Sequence, residues 1–104
     1  MIDETLRNRL VSTIVGLCRP RLIVLFGSEA YGEAREDSDI DLAVIEDSVA
    51  SKVKEATRIW QALRDIPRAK DIVVATLEEY EYYKRQAGSV FKTIADKGVV
   101  LYAR

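Results

Sequence analysis

Apolar residues near the start of the chain recur at helical spacing. Intervals of four, four and three residues predict a helix that begins at Asp3 or Thr5 and ends before Pro20. The apolar face of this helix consists of Leu6, Leu10, Ile14 and Leu17. Two apolar runs follow, at residues 22–26 and 40–45, and such runs are typical of strands covered on both faces. We therefore expect one helix followed by two buried strands.

A second amphipathic pattern predicts a helix between residues 47 and 67. Asp47 and Ser48 are suitable N-caps, and Pro67 ends the pattern because proline cannot continue a helix. The predicted apolar stripe consists of Val49, Val53, Ala56, Trp60 and Leu63. Trp60 fits this stripe, so we interpret its indole ring as part of the core rather than as a surface that stacks on a nucleotide base.

The last third of the chain predicts a further series of strand, two helices and strand. Residues 72–75 form an apolar run, and Thr76 with Glu79 forms a capping box that begins a helix. Ser89 can cap a final helix, and residues 99–102 predict an edge strand. Helices and strands thus alternate, which predicts an α/β (α+β) fold, a small mixed β-sheet packed by helices.

A Gly-Ser pair after the first strand and two acids at the second carry the candidate chemistry. Asp39 and Asp41 are two residues apart, so an extended chain turns both carboxylates to one side, about 7 Å apart at their backbones. Mg²⁺ takes oxygen ligands and needs one or two carboxylates, because water and substrate phosphates complete its octahedron. Gly27 lets the backbone approach a polyanion, and Ser28 begins a helical turn, over residues 29–31, whose N–H groups attract phosphate.

Each part of this pattern has an ordinary explanation when it stands alone. A Gly-Ser pair is common, and residues 37–39 can be a polar loop at the start of a strand. Asp41 differs, because it lies inside an apolar run, where an acid without a partner is costly to bury. The combination favours a site for a metal-bound nucleoside triphosphate.

Segments 25–28 and 38–42 together resemble the signature of the DNA polymerase β-like nucleotidyltransferase superfamily, a Gly-Ser pair followed after ten residues by Asp-x-Asp. Within it, this short chain resembles the minimal nucleotidyltransferases (MNT), the antitoxin halves of HEPN–MNT toxin–antitoxin pairs. The resemblance implies a single minimal nucleotidyltransferase domain over residues 1–104. It also implies transfer of AMP from ATP to a tyrosine hydroxyl of a cognate HEPN ribonuclease toxin, which silences the toxin.

The same resemblance implies roles for individual residues. The family carries a third carboxylate on the next strand, where this chain has Asp71, although Asp71 can also be an ordinary acid at an exposed strand start. The catalytic and metal-binding residues, for two Mg²⁺ ions, would be Asp39, Asp41 and Asp71. The nucleotide-binding residues would be Gly27, Ser28 and Ser38. Asp65 competes as the third carboxylate, but it is better explained as part of a loop that ends a helix.

Two positions depart from the family pattern. The family often has arginine just after the Gly-Ser pair and again before the following glycine, where this chain has Glu29 and Tyr31. Less positive charge would then meet the triphosphate, although Arg35 and the metal could compensate. The alternative function is therefore a catalytically weak or inactive antitoxin that neutralises the toxin by direct binding.

Composition narrows the function classes. At 104 residues the chain has the size of one domain without a separate acceptor module, so we expect the acceptor on another polypeptide. A net charge of −1 favours this protein partner, in a hetero-oligomer, over nucleic acid. The absence of histidine excludes imidazole catalysis, and a single cysteine, Cys18, excludes an internal disulfide. No apolar run approaches the roughly 18 residues of a membrane span, so we expect a cytoplasmic protein without membrane contact.

Overall fold

The computed structural model describes residues 2–32 and 38–104. Within these ranges the chain forms five helices and four strands. In chain order they are α1 Glu4–Leu17, β1 Leu22–Phe26, α2 Ser28–Tyr31, β2 Ile40–Glu46, α3 Lys52–Ala62, β3 Lys70–Thr76, α4 Leu77–Tyr83, α5 Val90–Lys97 and β4 Val99–Ala103. None of these helices combines the length and the apolar character that crossing a membrane requires.

The four strands form one mixed sheet in the order β3-β2-β1-β4. β1 pairs antiparallel with both β2 and β4, whereas β2 and β3 run parallel. α3 connects the two parallel strands, as expected because parallel neighbours need a crossover segment. The predicted fold class is therefore confirmed, and β4 is an edge strand as predicted.

Helices cover both faces of the sheet, which explains the apolar runs of β1 and β2. The core on the side of α1 and α3 consists of Leu10, Ile14, Ile23, Leu25, Ile40, Leu42, Val44, Ile59, Leu63, Ile66, Val74 and Leu101. The core on the side of α4 and α5 consists of Val24, Ala43, Ile45, Ala75, Tyr80 and Ile94. Alternate residues of β1 and of β2 therefore enter different cores.

The caps of three helices confirm the predicted helix starts. Asp3 Oδ1 accepts a hydrogen bond of 2.8 Å from a backbone N–H in the first turn of α1. Thr76 and Glu79 form the reciprocal capping box at α4, with N–H to oxygen distances of 2.9 and 3.2 Å. Ser89 accepts a hydrogen bond of 3.1 Å from the first turn of α5.

The predicted start of α3 is wrong, since neither Asp47 nor Ser48 caps it. The N-cap is Ser51, whose hydroxyl accepts a hydrogen bond of 3.3 Å from the first turn. Asp47 instead pairs with two arginines, at 3.5 Å from Arg21 and 3.2 Å from Arg104. These ion pairs engage the Asp47 carboxylate, and the Ser51 hydroxyl caps the helix instead.

The buried face of α3 also differs from the predicted stripe. Val53 and Trp60 are 77% and 46% exposed, so the interpretation of Trp60 as a core residue is wrong. Ile59, which the stripe omitted, is fully buried. The face that packs on the core runs through Ala56, Ile59 and Leu63, which also recur at helical spacing. Two apolar stripes were therefore possible on this helix, and packing selects the one that contains isoleucine.

A buried acid, Glu46, lies at the end of β2 beside the half-buried Glu55 of α3. Glu46 is 7% exposed and lies beside Cys18 and Glu55; the ligand atoms of the three side chains are all within 4.8 Å of one another. Burial, then the hydrogen bond with Glu55 and its charge, raise the pKa of Glu46 to about 7, although the charge of Arg58 opposes the shift. Near neutral pH the Glu46 carboxyl can thus hold a proton.

The Glu46 carboxyl should make stability fall as pH rises. Its pKa in the folded chain, about 7, lies above the ordinary value of 4.5, so the folded state binds this proton more tightly than the unfolded state. The contribution is complete below pH 4.5 and is lost as the pH rises through about 7. Between about pH 5 and pH 8 we expect the free energy of unfolding to fall by about 2 kcal/mol more in the natural chain than in Glu46→Gln.

Urea unfolding of the natural chain and of Glu46→Gln across this pH range measures the difference. The chain contains no histidine, so few other groups titrate in the window. Equal pH dependence in the two proteins would show that Glu46 is not the group responsible.

Candidate active site

Asp41 and Asp71 lie opposite each other on the two parallel strands. The register of β2 and β3 pairs them directly. Since side chains alternate along a strand, both lie on the α4–α5 side of the sheet, as Ala43 and Ala75 do further along. Asp39 comes immediately before β2 and is exposed. The structure therefore brings Asp41 and Asp71 together and leaves Asp39 at the same end of the sheet.

The Gly-Ser turn lies against the other side of Asp41. β1 pairs Phe26 with Asp41, and Gly27 follows with φ of 74°, a region that favours glycine. A Cβ added to Gly27 would overlap the Asp41 carboxylate. Backbone and carboxylate are thus in direct contact, close enough to bind different parts of one ligand.

The short helix α2 begins at Ser28, directly after this glycine. The Gly27 carbonyl accepts hydrogen bonds of 3.1 Å from the N–H groups of both Ala30 and Tyr31, which confirms the predicted helical turn. The first N–H groups of a helix have no carbonyl partner within it, so a phosphate oxygen can accept them. The start of α2 lies within two residues of Gly27, which is in contact with the Asp41 carboxylate.

The electrostatics of Asp41 favour a bound cation. Its carboxyl is half-buried, and burial raises its pKa above the ordinary value, with the charges of Asp71 and Asp39 raising it further. A divalent ion would reverse this shift, because it stabilises the ionised form of each carboxylate. Carboxylate oxygens are the hard ligands that Mg²⁺ prefers, so the residues present fit this ion.

The three aspartates are more widely spaced than the ligands of a bound ion. Across residues 2–32 and 38–104, the one group of three thiols or carboxylates with all ligand atoms within 4.8 Å is Cys18, Glu46 and Glu55. That group lies at the far end of β2, and burial raises the pKa of the Cys18 thiol to about 11, which keeps it protonated at neutral pH. An ion between the aspartates would need side-chain rotations, which are fast for exposed residues such as Asp39 and Asp71.

Glu29 does not present an exposed charge to the turn. It is 1% exposed and forms an ion pair with Arg68. Burial alone would raise the pKa of Glu29, but the hydrogen bond and charge of Arg68 help to hold this pKa below its ordinary value. Arg68 thus compensates the negative charge that Glu29 introduces where the family often has arginine. Tyr31, the second departure from the family pattern, is half-buried. Arg35, the predicted source of compensation, lies outside the described residues.

Two further candidates occupy different positions. The Ser38 carbonyl accepts a hydrogen bond of 3.2 Å from Arg68 Nε, so the main chain just before Asp39 is held in place. Asp65 lies after α3, 3.9 Å from Arg9 of α1. It is therefore associated with the helices of the opposite sheet face, and its position does not support it as the third carboxylate.

A cavity that sequence reasoning missed lies beside Asp71. Its volume is about 280 Å³, and it is lined by Ala56, Thr57, Trp60, Lys70, Asp71 and Ile72. Lys70 Nζ lies 5.6 Å from the centre of the Trp60 ring, within the range of a cation–π contact. Ala56, Thr57 and Trp60 belong to α3, so the cavity lies between α3 and the edge strand β3. Trp60 was the residue in the sequence that could have indicated this cavity, but the predicted apolar stripe assigned it to the core.

Three solved structures of toxin–antitoxin complexes contain a chain with a similar fold. A chain from a toxin–antitoxin crystal structure with AMP-PNP has a TM-score of 0.65 at 23% identity, covering 94% of this chain and 73% of its own. A mutant of the toxin–antitoxin MntA-HpeT gives 0.62 at 20% identity, with coverage of 94% and 73%. A complex of tri-AMPylated Shewanella oneidensis HEPN toxin with MNT antitoxin gives 0.58 at 17% identity, with coverage of 99% and 74%. At such identities the likeness shows the fold.

Sequence comparison shows the family. No curated protein sequence gave a significant match. The family model for "Polymerase beta, Nucleotidyltransferase" matches residues 8–104, which is nearly the whole chain. The carboxylates on β2 and β3 and the Gly-Ser turn after β1 all lie within the matched region. The chain therefore belongs to the polymerase β nucleotidyltransferase family.

Proposed function

We propose that this protein is a Mg²⁺-dependent nucleotidyltransferase that transfers AMP from ATP to a tyrosine hydroxyl of a cognate HEPN ribonuclease toxin and so acts as its antitoxin. The observation that supports this most strongly is the pairing of Asp41 with Asp71 while the Gly27 backbone lies against the Asp41 carboxylate. Carboxylate oxygens and a backbone that phosphate can approach closely are what Mg²⁺ and ATP together require.

The similar solved structures support the choice of donor and acceptor. One of those complexes contains AMP-PNP, and another contains a tri-AMPylated HEPN toxin beside an MNT antitoxin. These ligands and modifications belong to those proteins. The likeness of fold, the membership of this chain in the nucleotidyltransferase family and its net charge of −1 together support the expectation of a protein acceptor.

The proposed reaction is an in-line displacement at the α-phosphate of ATP. The acceptor oxygen forms a bond to the α-phosphorus, the bond from that phosphorus to the oxygen bridging to the β-phosphorus breaks, and pyrophosphate leaves. Asp39 and Asp41 would hold Mg²⁺ together with Asp71, and the bound metal would stabilise the attacking and leaving oxygens. Asp71 is also suited to take the hydroxyl proton, because it is exposed on the edge strand.

The remaining residues would orient the two substrates. Gly27 and Ser28 would hold the β- and γ-phosphates through the backbone of the turn, with Ser38 next to the nucleotide. The acceptor would come from the outer side of β3, past the cavity that contains Trp60. Residues 1–104 would form the transferase unit, and a cytoplasmic location remains our prediction.

A second candidate function is an antitoxin that neutralises its toxin by binding alone. Exposed side chains at α4 and α5 favour a docking surface, since Tyr82, Tyr83 and Val90 are 61%, 45% and 48% exposed. Aromatic residues are enriched at protein interfaces. Both candidates predict a complex, so binding affinity does not distinguish them, whereas covalent modification of the toxin does.

Co-expression with the partner toxin should add AMP to the toxin. Intact-mass spectrometry should detect one or more added AMP units. Asp41→Asn should reduce the modified fraction at least about 100-fold, because it removes a charge that stabilises the transition state through the metal. Asp65→Asn, an exposed acid on the opposite face, should leave the modification unchanged. A toxin that is inhibited but unmodified would contradict transfer and favour the binding antitoxin.

Gly27→Ala should weaken both folding and nucleotide binding. The φ of 74° disfavours alanine, and the new methyl group would overlap the Asp41 carboxylate. We expect the free energy of unfolding to fall by about 1–3 kcal/mol. We also expect Mg²⁺-ATP to bind at least about tenfold more weakly, a loss of about 1.4 kcal/mol in binding free energy.

Gly16→Ala is the matched control for this substitution. Gly16 lies in α1, and an added Cβ meets no atom within 4 Å, so the change should stabilise the helix by about 0.5–1 kcal/mol. Urea unfolding and titration calorimetry measure the two effects. Normal nucleotide affinity in Gly27→Ala would contradict a phosphate site at this turn.

A further inference from the structure

The guanidinium of Arg68 connects the three segments that form the candidate site. It pairs with Glu29 of α2 and donates to the Ser38 carbonyl just before Asp39, and it precedes Asp71 by three residues. We propose that Arg68 is a positioning residue that fixes the phosphate-binding turn relative to the metal-binding carboxylates. This inference rests on the proposed function and names a residue that sets the geometry of the same site.

The contacts of Arg68 use two nitrogens of its planar group. Nε donates to the Ser38 carbonyl at 3.2 Å, and Nη2 donates to the same carbonyl and to Glu29 Oε1. The Glu29 and Arg68 side chains are 2% and 20% exposed, so solvent and salt screen this pair weakly. A guanidinium holds two acceptors in a fixed geometry, which the compact ammonium of lysine does not.

Arg68 is itself anchored to the sheet through its neighbours. The Ala69 carbonyl accepts a hydrogen bond of 2.9 Å from the N–H of Ile40, the first residue of β2. Lys70 Nζ donates to the carbonyls of Ile66 and Arg68 at 2.8 and 2.7 Å. Hydrogen bonds therefore hold the backbone around Arg68, so its side chain can fix the position of α2 relative to β3.

The ion pair also controls the charge beside the phosphate-binding turn. Glu29 follows Ser28 directly, and an uncompensated carboxylate there would repel a triphosphate. Removing Arg68 alone takes the guanidinium away from the buried Glu29 carboxylate, which is costly to the fold, whereas removing both charges avoids that cost. The double substitution therefore separates loss of stability from loss of positioning.

Four variants make this separation. They are Arg68→Met, Arg68→Lys, the double variant Glu29→Gln/Arg68→Met, and the control Arg21→Met. Arg21 is suitable as a control because it forms an exposed ion pair with Asp47, at 3.5 Å, at the opposite end of β1. Its loss removes a comparable arginine without touching the site.

Titration calorimetry with Mg²⁺ and AMP-PNP, well below the unfolding temperature of each variant, measures nucleotide binding. Arg68→Met should bind at least about tenfold more weakly and should unfold at a lower temperature. Arg68→Lys should retain intermediate affinity, because lysine keeps the positive charge but cannot hold two acceptors in the fixed geometry of a guanidinium. The double variant should regain thermal stability without regaining affinity, and Arg21→Met should match the natural chain in affinity.

Amide hydrogen exchange tests the same positioning without nucleotide. In Arg68→Met, exchange of the hydrogen-bonded N–H groups of Ala30, Tyr31 and Ile40 should be at least about tenfold faster. Amides in the centre of β1 should keep their protection, since that strand is covered on both faces.

Recovery of nucleotide affinity in the double variant would overturn the proposal, because Arg68 would then act only by cancelling the charge of Glu29. Unchanged exchange at Ala30, Tyr31 and Ile40 in Arg68→Met would also overturn it. If the natural chain binds no AMP-PNP but Arg68→Met shows the faster exchange, the positioning contact stands and the proposed function fails. The two failures are therefore distinguishable.

Discussion

The parallel pairing of β2 with β3 determines where the carboxylates meet. A strand has a side-chain period of two residues, so a slip of one residue would turn Asp71 to the other face and remove Ile72 and Val74 from the core on the side of α1 and α3. The free energy of apolar burial therefore specifies the register, and the register specifies the site. The hydrogen bond between the Ile40 N–H and the Ala69 carbonyl begins this pairing at the end of the sheet that carries the acids.

Two buried glutamates at opposite ends of the sheet are stabilised in different ways. Glu29 is ionised beside Arg68, and its pKa is lowered although burial opposes the shift. Glu46 has an acidic neighbour, and burial with that neighbour raises its pKa to about 7. The pair of Glu29 and Arg68 lies at the end of the sheet proposed to bind phosphate, and Glu46 lies at the far end, where we propose no ligand.

Local patterns in the sequence predicted the elements and the candidate carboxylates. The apolar runs predicted β1 and β2, and the capping box predicted α4. The two-residue spacing predicts that Asp39 and Asp41 lie on one side. α3 was predicted with the wrong face because its sequence permits two apolar stripes. The contact of Glu29 with Arg68 joins residues 39 apart, so no local period reveals it. A contact of this kind depends on how the strands pair, and the sequence alone did not predict the register of the sheet.

The most direct test of the account is a crystal structure of the chain with Mn²⁺ and AMP-PNP, because Mn²⁺ can be located by its anomalous scattering. The account predicts an anomalous peak bounded by Asp39, Asp41 and Asp71, with the β- and γ-phosphates on the backbone of Gly27 and Ser28. A metal ion bound only at Cys18, Glu46 and Glu55, or a nucleotide bound away from the Gly-Ser turn, would contradict it.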